Sequence, residues 1–288
     1  MNQHQDCVEA LRTLRATGLR ESHFTVRAAE EALKRGGLDE AERWAVTEQL
    51  LVAQLDCGQR DEAEETFRLI AERFPASKFV RVKRLEAYTA EECGDVKTAS
   101  EIYAELVGQP LEDGGTSSDL TAMKRQAAML RAAGDYPGAI EQLNKILMIS
   151  MCDVETWLEL ADVYQRVNNL PYAAFCLEEV LLAMPWNFRV WVRAAEAWYS
   201  AGEPLLARKY FAYAVELSRG SDPRQYANRV DPRALVGLCV ACRAVQDASA
   251  KFLTTDDAAA LNRDTYKWAS ALLLKVMPSA SSLTADEQ

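Results

Sequence analysis

Cys239 and Cys242 form the chain's one C-x-x-C pair, a spacing that could hold a metal ion or run thiol–disulfide exchange. A zinc site needs about two further ligands. No second such pair exists, and the two histidines, His4 and His23, lie far away near the N-terminus. The pair therefore reads as two small residues on a buried helix stripe, with no metal site. Seven cysteines, odd in number and scattered through helical patterns, fit reduced thiols in a reducing compartment. Other chemistry fares no better. The chain has no G-x-x-x-x-G-K-[ST] phosphate loop, no G-x-S-x-G elbow and no H-E-x-x-H, and its carboxylates are spread without a pattern that separates an acid from a base. The expectation is no enzyme and no cofactor.

The elements that carry these residues are helical hairpins. From Val154 to Asn187, Trp157, Leu160, Ala161 and Tyr164 recur at three- and four-residue spacing, one face of a helix. After a break at Asn168 and Asn169, Ala173, Leu177 and Val180 form a second stripe that Pro185 closes. A shift of 34 residues maps Trp157 to Trp191, Tyr164 to Trp198, Ala173 to Ala207 and Leu177 to Phe211 downstream. Upstream, the same positions become Met123, Leu130, Ala139 and Leu143. A period of about 34, with a large residue opening the first helix and a small one in the second, resembles the tetratricopeptide repeat. Ala139, Ala173 and Ala207 are small because two helices approach closely there. The predicted fold is an all-α tetratricopeptide-repeat solenoid of about five repeats, a degenerate sixth and a capping helix.

In chain order, residues 1–38 form an N-terminal helical extension with two short helices of weak stripe, near Cys7–Leu14 and Thr25–Lys34. The solenoid covers 39–245. Its first repeat uses Trp44, Leu50, Leu51 and Leu55, with Asp39 as a helix cap, then Ala63, Phe67 and Ile70. The second uses Leu85, Ala87, Gly94, Ala99, Tyr103 and Leu106 and ends near Pro110. Glu112–Asp119 reads as a flexible insertion that lengthens the Ala99 to Ala139 interval to 40 residues. Pro137, Pro171 and Pro204 stand in the first turn of the next three second helices. A loop opens at Ser218–Pro223, Leu235, Leu238 and Cys242 stripe the half-repeat, and residues 246–277 hold a capping helix with Leu261, Tyr266, Trp268, Leu272 and Leu273 as its stripe. Residues 278–288 read as a disordered tail.

With 288 residues and a net charge of -10, the chain can bury a substantial core, but it is too acidic for a general nucleic-acid binder and is poorly suited to anionic lipid. No apolar run approaches the roughly 20 residues of a spanning helix. The polar N-terminus lacks a signal-peptide layout. These features predict a soluble protein made in the cytosol.

Function is then expected on the surface. In stacked hairpins the first helices line a groove. Arg81, Arg84, Lys124, Arg131, Glu155, Asp162, Arg189 and Glu196 are the residues placed there. The basic run Arg81, Lys83, Arg84 reads either as a solvated face or as a site for an acidic partner. One reading of the groove is a cochaperone or adaptor that clamps an acidic peptide tail. Lys124, Arg189 and Arg193 sit where three clamp cations would be, but Ala128 and Glu159 replace both clamp asparagines, and Glu159 would repel the carboxylate.

The other reading rests on resemblance. Phe74-Pro75-Ala76-Ser77 with Val80-Arg81-Val82-Lys83-Arg84-Leu85, then Ala173-Ala174-Phe175-Cys176-Leu177-Glu178-Glu179, Ala207-Arg208-Lys209-Tyr210-Phe211-Ala212 and Ala234-Leu235-Val236-Gly237-Leu238 are similar to the family of subunit 2 of the endoplasmic reticulum membrane protein complex. The resemblance runs from about Trp44 to Val245, and the Ala173–Glu179 stretch is its most specific part. It implies a non-catalytic scaffold on the cytosolic side of the membrane. Such a subunit would be peripheral, held by partner proteins, would support membrane protein insertion and would bind both membrane-spanning and soluble subunits of that complex.

Overall fold

The computed structural model describes residues 2–107, 119–219, 230–248, 252 and 255–276, with side chains from Cys7 onward. Among these residues there are fourteen helices and no strand. The chain divides into two compact units, Met1–Met129 and Leu130–Gln288.

The first unit holds α1 (Asn2–Thr17), α2 (Ser22–Arg35), α3 (Glu40–Asp56), α4 (Arg60–Arg73), α5 (Val80–Cys93), α6 (Val96–Val107) and most of α7 (Leu120–Ala132). Its apolar residues bury in short consecutive clusters. Val8, Leu11, Val26, Ala29 and Ala32 pack with Val46, Leu50 and Ala53 of α3. Leu51, Leu55, Ala63 and Ile70 pack with Val82, Leu85 and Tyr88 of α5, and Ala87, Ala99, Tyr103 and Leu106 pack with Ala122 of α7. Each helix thus contacts its chain neighbours, as stacked repeats require. The first two helices run longer than their stripes suggest; α1 makes its contacts through Val8 and Leu11, and α2 mainly through the small Ala28, Ala29 and Ala32. Asp39 caps α3, accepting from the Glu42 backbone N–H at 2.6 Å.

The second unit continues with α8 (Tyr136–Ile149), α9 (Val154–Arg166), α10 (Leu170–Ala183), α11 (Phe188–Ser200), α12 (Pro204–Arg219), α13 (Pro232–Asp247) and α14 (Asp256–Val276). The prolines at 137 and 171 fall in the first helical turn, and Pro204 opens α12. Ala139, Ala173 and Ala207 are completely buried. The 34-residue period also appears in the backbone. Gly134, Asn168 and Gly202 all adopt left-handed φ, and Asn168 is the one non-glycine residue to do so among the described residues. At each, the next residue donates its N–H five residues back: Asp135 to Leu130, Asn169 to Tyr164 and Glu203 to Trp198, at 2.8–3.0 Å. This is the glycine-type helix stop, with Asn168 standing in for glycine.

Some expected positions move. Leu160, Ala161, Leu177 and Phe211 are core, but Trp157, Tyr164, Trp191 and Trp198 are half-buried at the rim. The buried face of α9 centres on Thr156, Leu160, Ala161 and Val163 instead. Indole and phenol groups keep a polar end, which draws the ring to the edge where a partner or water can be met. The stripe of α14 is also corrected. Leu261, Tyr266 and Trp268 are exposed, while Asn262 and Ala269 bury and Leu272, Leu273 and Val276 pack beside them. Leu261, Tyr266 and Trp268 therefore miss the seam, while the predicted Leu272 and Leu273 reach it. Ser218 and Arg219 belong to α12 rather than to a loop. Asp119 caps α7 through the Thr121 and Ala122 backbone N–H groups at 3.1 and 3.3 Å, so it is not part of a flexible insertion. Residues 112–118, 220–223 and the tail 278–288 lie outside the described residues. No helix among the described residues is long and apolar enough to cross a membrane.

Candidate functional site

The candidate groove residues sit on the first helix of each hairpin, and neighbouring first helices are joined there by ion pairs. In the first unit Arg15 of α1 meets Glu42 of α3 at 2.5 Å, Arg81 of α5 meets Glu48 of α3 at 2.8 Å, and Arg125 of α7 meets Glu91 of α5 at 3.5 Å. Within the second, Arg131 meets Glu159 at 2.9 Å, Arg193 meets Asp162, and Arg233 holds Glu196 through two contacts of 2.6 Å. Each rung spans adjacent repeats and cancels a charge. The basic run of α5 is consumed in the same way: Lys83 pairs with Glu105 and Arg84 with Asp119 at 2.6 Å.

Of the eight predicted residues, Arg81, Arg84, Arg131, Asp162 and Glu196 are therefore rung or cap partners. Arg189 is exposed beside the Phe188 ring, and Glu155 is exposed in the first turn of α9. Lys124 is half-buried on α7. Of the residues in the clamp reading, Arg193 pairs with Asp162, and Glu159 with Arg131.

The first-helix tryptophans have a role that periodicity does not reveal. Trp157 Nε1 donates to the Met151 carbonyl and Trp191 Nε1 to the Pro185 carbonyl, both at 2.8 Å and both six residues back. Each indole pins the turn that precedes its own helix. On the next helix Phe175 meets Trp157 edge-on at 6.1 Å, and Tyr213 meets Trp191 at 4.5 Å. Alternation explains the Ala173–Glu179 stretch. Ala173, Ala174, Cys176 and Leu177 are buried, Phe175 faces outward onto Trp157, and Glu178 accepts from Trp198 Nε1 at 2.9 Å and from the Tyr210 hydroxyl at 2.6 Å.

The turns that these indoles hold, and the helix ends just before them, carry strongly exposed apolar side chains. Met148 is 86% exposed, Leu182 79%, Met151 72% and Trp186 71%. Met148 and Leu182 occupy equivalent positions one repeat apart, in the last turns of α8 and α10, and Met151 and Trp186 lie in the turns that follow. Isolated exposed leucines need no explanation, but methionine and tryptophan gathered on consecutive turns have the composition of an interface core. Sequence reasoning passed over this edge. Its signal was large apolar residues at positions the core stripes do not use.

The C-x-x-C pair lies on α13, with Cys242 buried in the core and Cys239 half-buried. Burial pushes the Cys242 thiol up to about 11, and it pushes Cys176 up to about 12. Such thiols stay protonated at neutral pH and are poor nucleophiles and ligands. Among the described residues no three His, Cys, Asp or Glu side chains gather to hold a metal.

Stacked antiparallel helical hairpins with a 34-residue period define a tetratricopeptide-repeat protein. The C-terminal part of a TPR repeat-containing protein from Cytophaga hutchinsonii superposes with a TM-score of 0.56, covering 100% of this chain and 95% of that one at 14% identity, a likeness of fold. The sequence goes further: residues 80–198 match the EMC2 TPR-like repeat domain. ER membrane protein complex subunit 2 of Xenopus tropicalis is 32% identical over 99% of this chain and 90% of its own length. The protein of the same name from Dictyostelium discoideum is 32% identical over 62% of this chain and 54% of its length. The chain belongs to the ER membrane protein complex subunit 2 family.

Proposed function

We propose that this chain is a non-catalytic scaffold subunit of the endoplasmic reticulum membrane protein complex. It sits on the cytosolic side, peripheral to the membrane. There it holds membrane-spanning and soluble subunits together and so supports membrane protein insertion. The relatives' name supports membership. The observation that carries the scaffold role is the exposed apolar edge of Met148, Met151, Leu182 and Trp186, braced by indole hydrogen bonds. Side chains of this kind, excluded from water by a partner, supply most of the energy of a stable interface. The paired first-helix charges add register rather than affinity, since exposed pairs are worth little each.

The test is recovery of partners from detergent-solubilised membranes with tagged wild-type protein and a Met148→Asp, Leu182→Asp, Trp186→Asp variant. These sites are exposed, so the variant is expected to melt like the wild type while losing most of its co-purifying spanning subunits. Undiminished recovery would remove the edge from the reading. Isolated protein is expected to float with liposomes no better than a soluble control, because it carries a net charge of -10. Strong flotation would refute attachment through protein partners alone.

A further inference from the structure

We propose that the cleft between α13 and α14 is a receptor site for an acidic segment of another protein, one whose Asp or Glu side chains enter in extended form. The cleft has a volume of about 360 Å³ and is lined by Arg243 and Asp247 of α13 and by Arg263, Tyr266 and Lys267 of α14, with Asn262 at its floor. Three cations share it with one carboxylate. Among the described residues none of the three is in an ion pair, whereas the arginines of the first-helix rungs are each matched by a carboxylate. Arg263 and Lys267 are four residues apart on one helix, where like charges repel and lower helix stability without local return. In a chain of net charge -10 the cleft gathers three cations against one carboxylate.

The floor is fixed. Buried Asn262 donates from Nδ2 to the Cys242 carbonyl at 2.9 Å and accepts from Arg208 Nη1 at 2.8 Å, which ties α14 to α13 and α12. The cations are thus mounted on anchored helices, so less ordering is lost on binding. Guanidinium groups match carboxylates through two parallel N–H donors, and the Tyr266 ring offers an apolar wall to the segment's backbone or aliphatic stems. The volume is near the lower end of ligand sites, enough for a few residues rather than a folded domain. Nucleic acid requires a far wider basic surface, and an anionic bilayer would face the whole chain's negative charge.

This proposal stands apart from membership of the complex, so the two can fail separately. Full-length protein would be titrated into a fluorescein-labelled ten-residue peptide of alternating Glu and Gly, with its Gln counterpart as control. Saturable binding of the Glu peptide is expected, weakened about tenfold or more in an Arg243→Ser, Arg263→Ser, Lys267→Ser variant and weakened by added salt. Asp247→Asn should tighten it, a gain that general damage cannot mimic. Equal binding of the Gln peptide, no binding, or an unaffected triple variant would each overturn the proposal. So would phosphatidylserine vesicles binding wild type but not the triple variant while the Glu peptide fails to bind, since that outcome assigns the cations to lipid.

Discussion

Glu178 of one hairpin receives the Trp198 indole N–H of the next at 2.9 Å. The same oxygen takes the Tyr210 hydroxyl proton at 2.6 Å, so one carboxylate joins α10, α11 and α12. Burial first, and then this carboxylate, raise the Tyr210 phenol above its usual range. Glu178→Ala would leave two donors without their acceptor and is expected to cost about 1–3 kcal/mol in urea unfolding. Glu178→Gln keeps an acceptor oxygen and should recover part of that loss. Equal stability of Glu178→Ala and wild type would show that water replaces the carboxylate freely.

Rim and core positions should respond differently. Trp157 is half-buried, so Trp157→Ala is expected to cost about 2 kcal/mol, less than a fully buried indole. Ala173 has no exposed surface, and Ala173→Trp should do more damage by forcing two helices apart. Thermal melting of both variants decides the order, and the reverse ranking would contradict the rim placement.

Asn168 occupies a left-handed conformation that glycine takes in the hairpins before and after it. Asn168→Gly is expected to be neutral or to raise stability by a few tenths of a kcal/mol, while Asn168→Ala should lower it by about 1 kcal/mol. Matched melting curves for the two would argue against a positive φ in solution.

The thiols predict an alkaline limit. Cys176 and Cys242 ionise near 9.0 when unshielded but are held up to about 12 and about 11 when folded. The folded state therefore binds more protons between these values. The stability tied to the neutral thiols is full below pH 9 and is lost as pH rises through 11 and 12, by at most about 1.4 kcal/mol per pH unit for each. Urea midpoints measured from pH 8 to 11 should fall, and fall less in Cys176→Ala. At pH 7.5 exposed Cys152 should react with a thiol reagent well before Cys176 or Cys242. Uniform labelling of all three would deny the burial.

Much of the fold was legible because Ala139, Ala173 and Ala207 recur at one period and proline opens the helices they sit on. Those residues have few alternative uses. The placement of Trp157 and Trp191 was not legible, since a stripe gives a direction on the helix but not the distance to its edge. The seam of α14 was misjudged because size suggested Trp268 and Leu261, while the close approach selected Ala269 and the polar bridge selected Asn262. The groove charges were found as residues but not as pairs. Their matching depends on the offset between helices, which the period alone does not fix. The carboxylate of Glu178 and the exposed Met148 and Trp186 left marks in the sequence that only the packing explains.

Gly237 shows the fit at its tightest, since a Cβ there would stand 2.2 Å from the Phe211 ring. The ion-pair rungs show the opposite quality. They act like a row of springs along one side of each stack, in parallel with the apolar seams that also join neighbouring hairpins. Screening weakens the springs and leaves the apolar seams nearly unchanged. The solvent's ionic strength is thereby expected to tune the pitch of each unit. Small-angle scattering in low and high salt should show the breadth of the molecule change, and Arg193→Ala with Arg233→Ala should reduce that response. A stack built this way is expected to adjust its pitch with little cost to its fold.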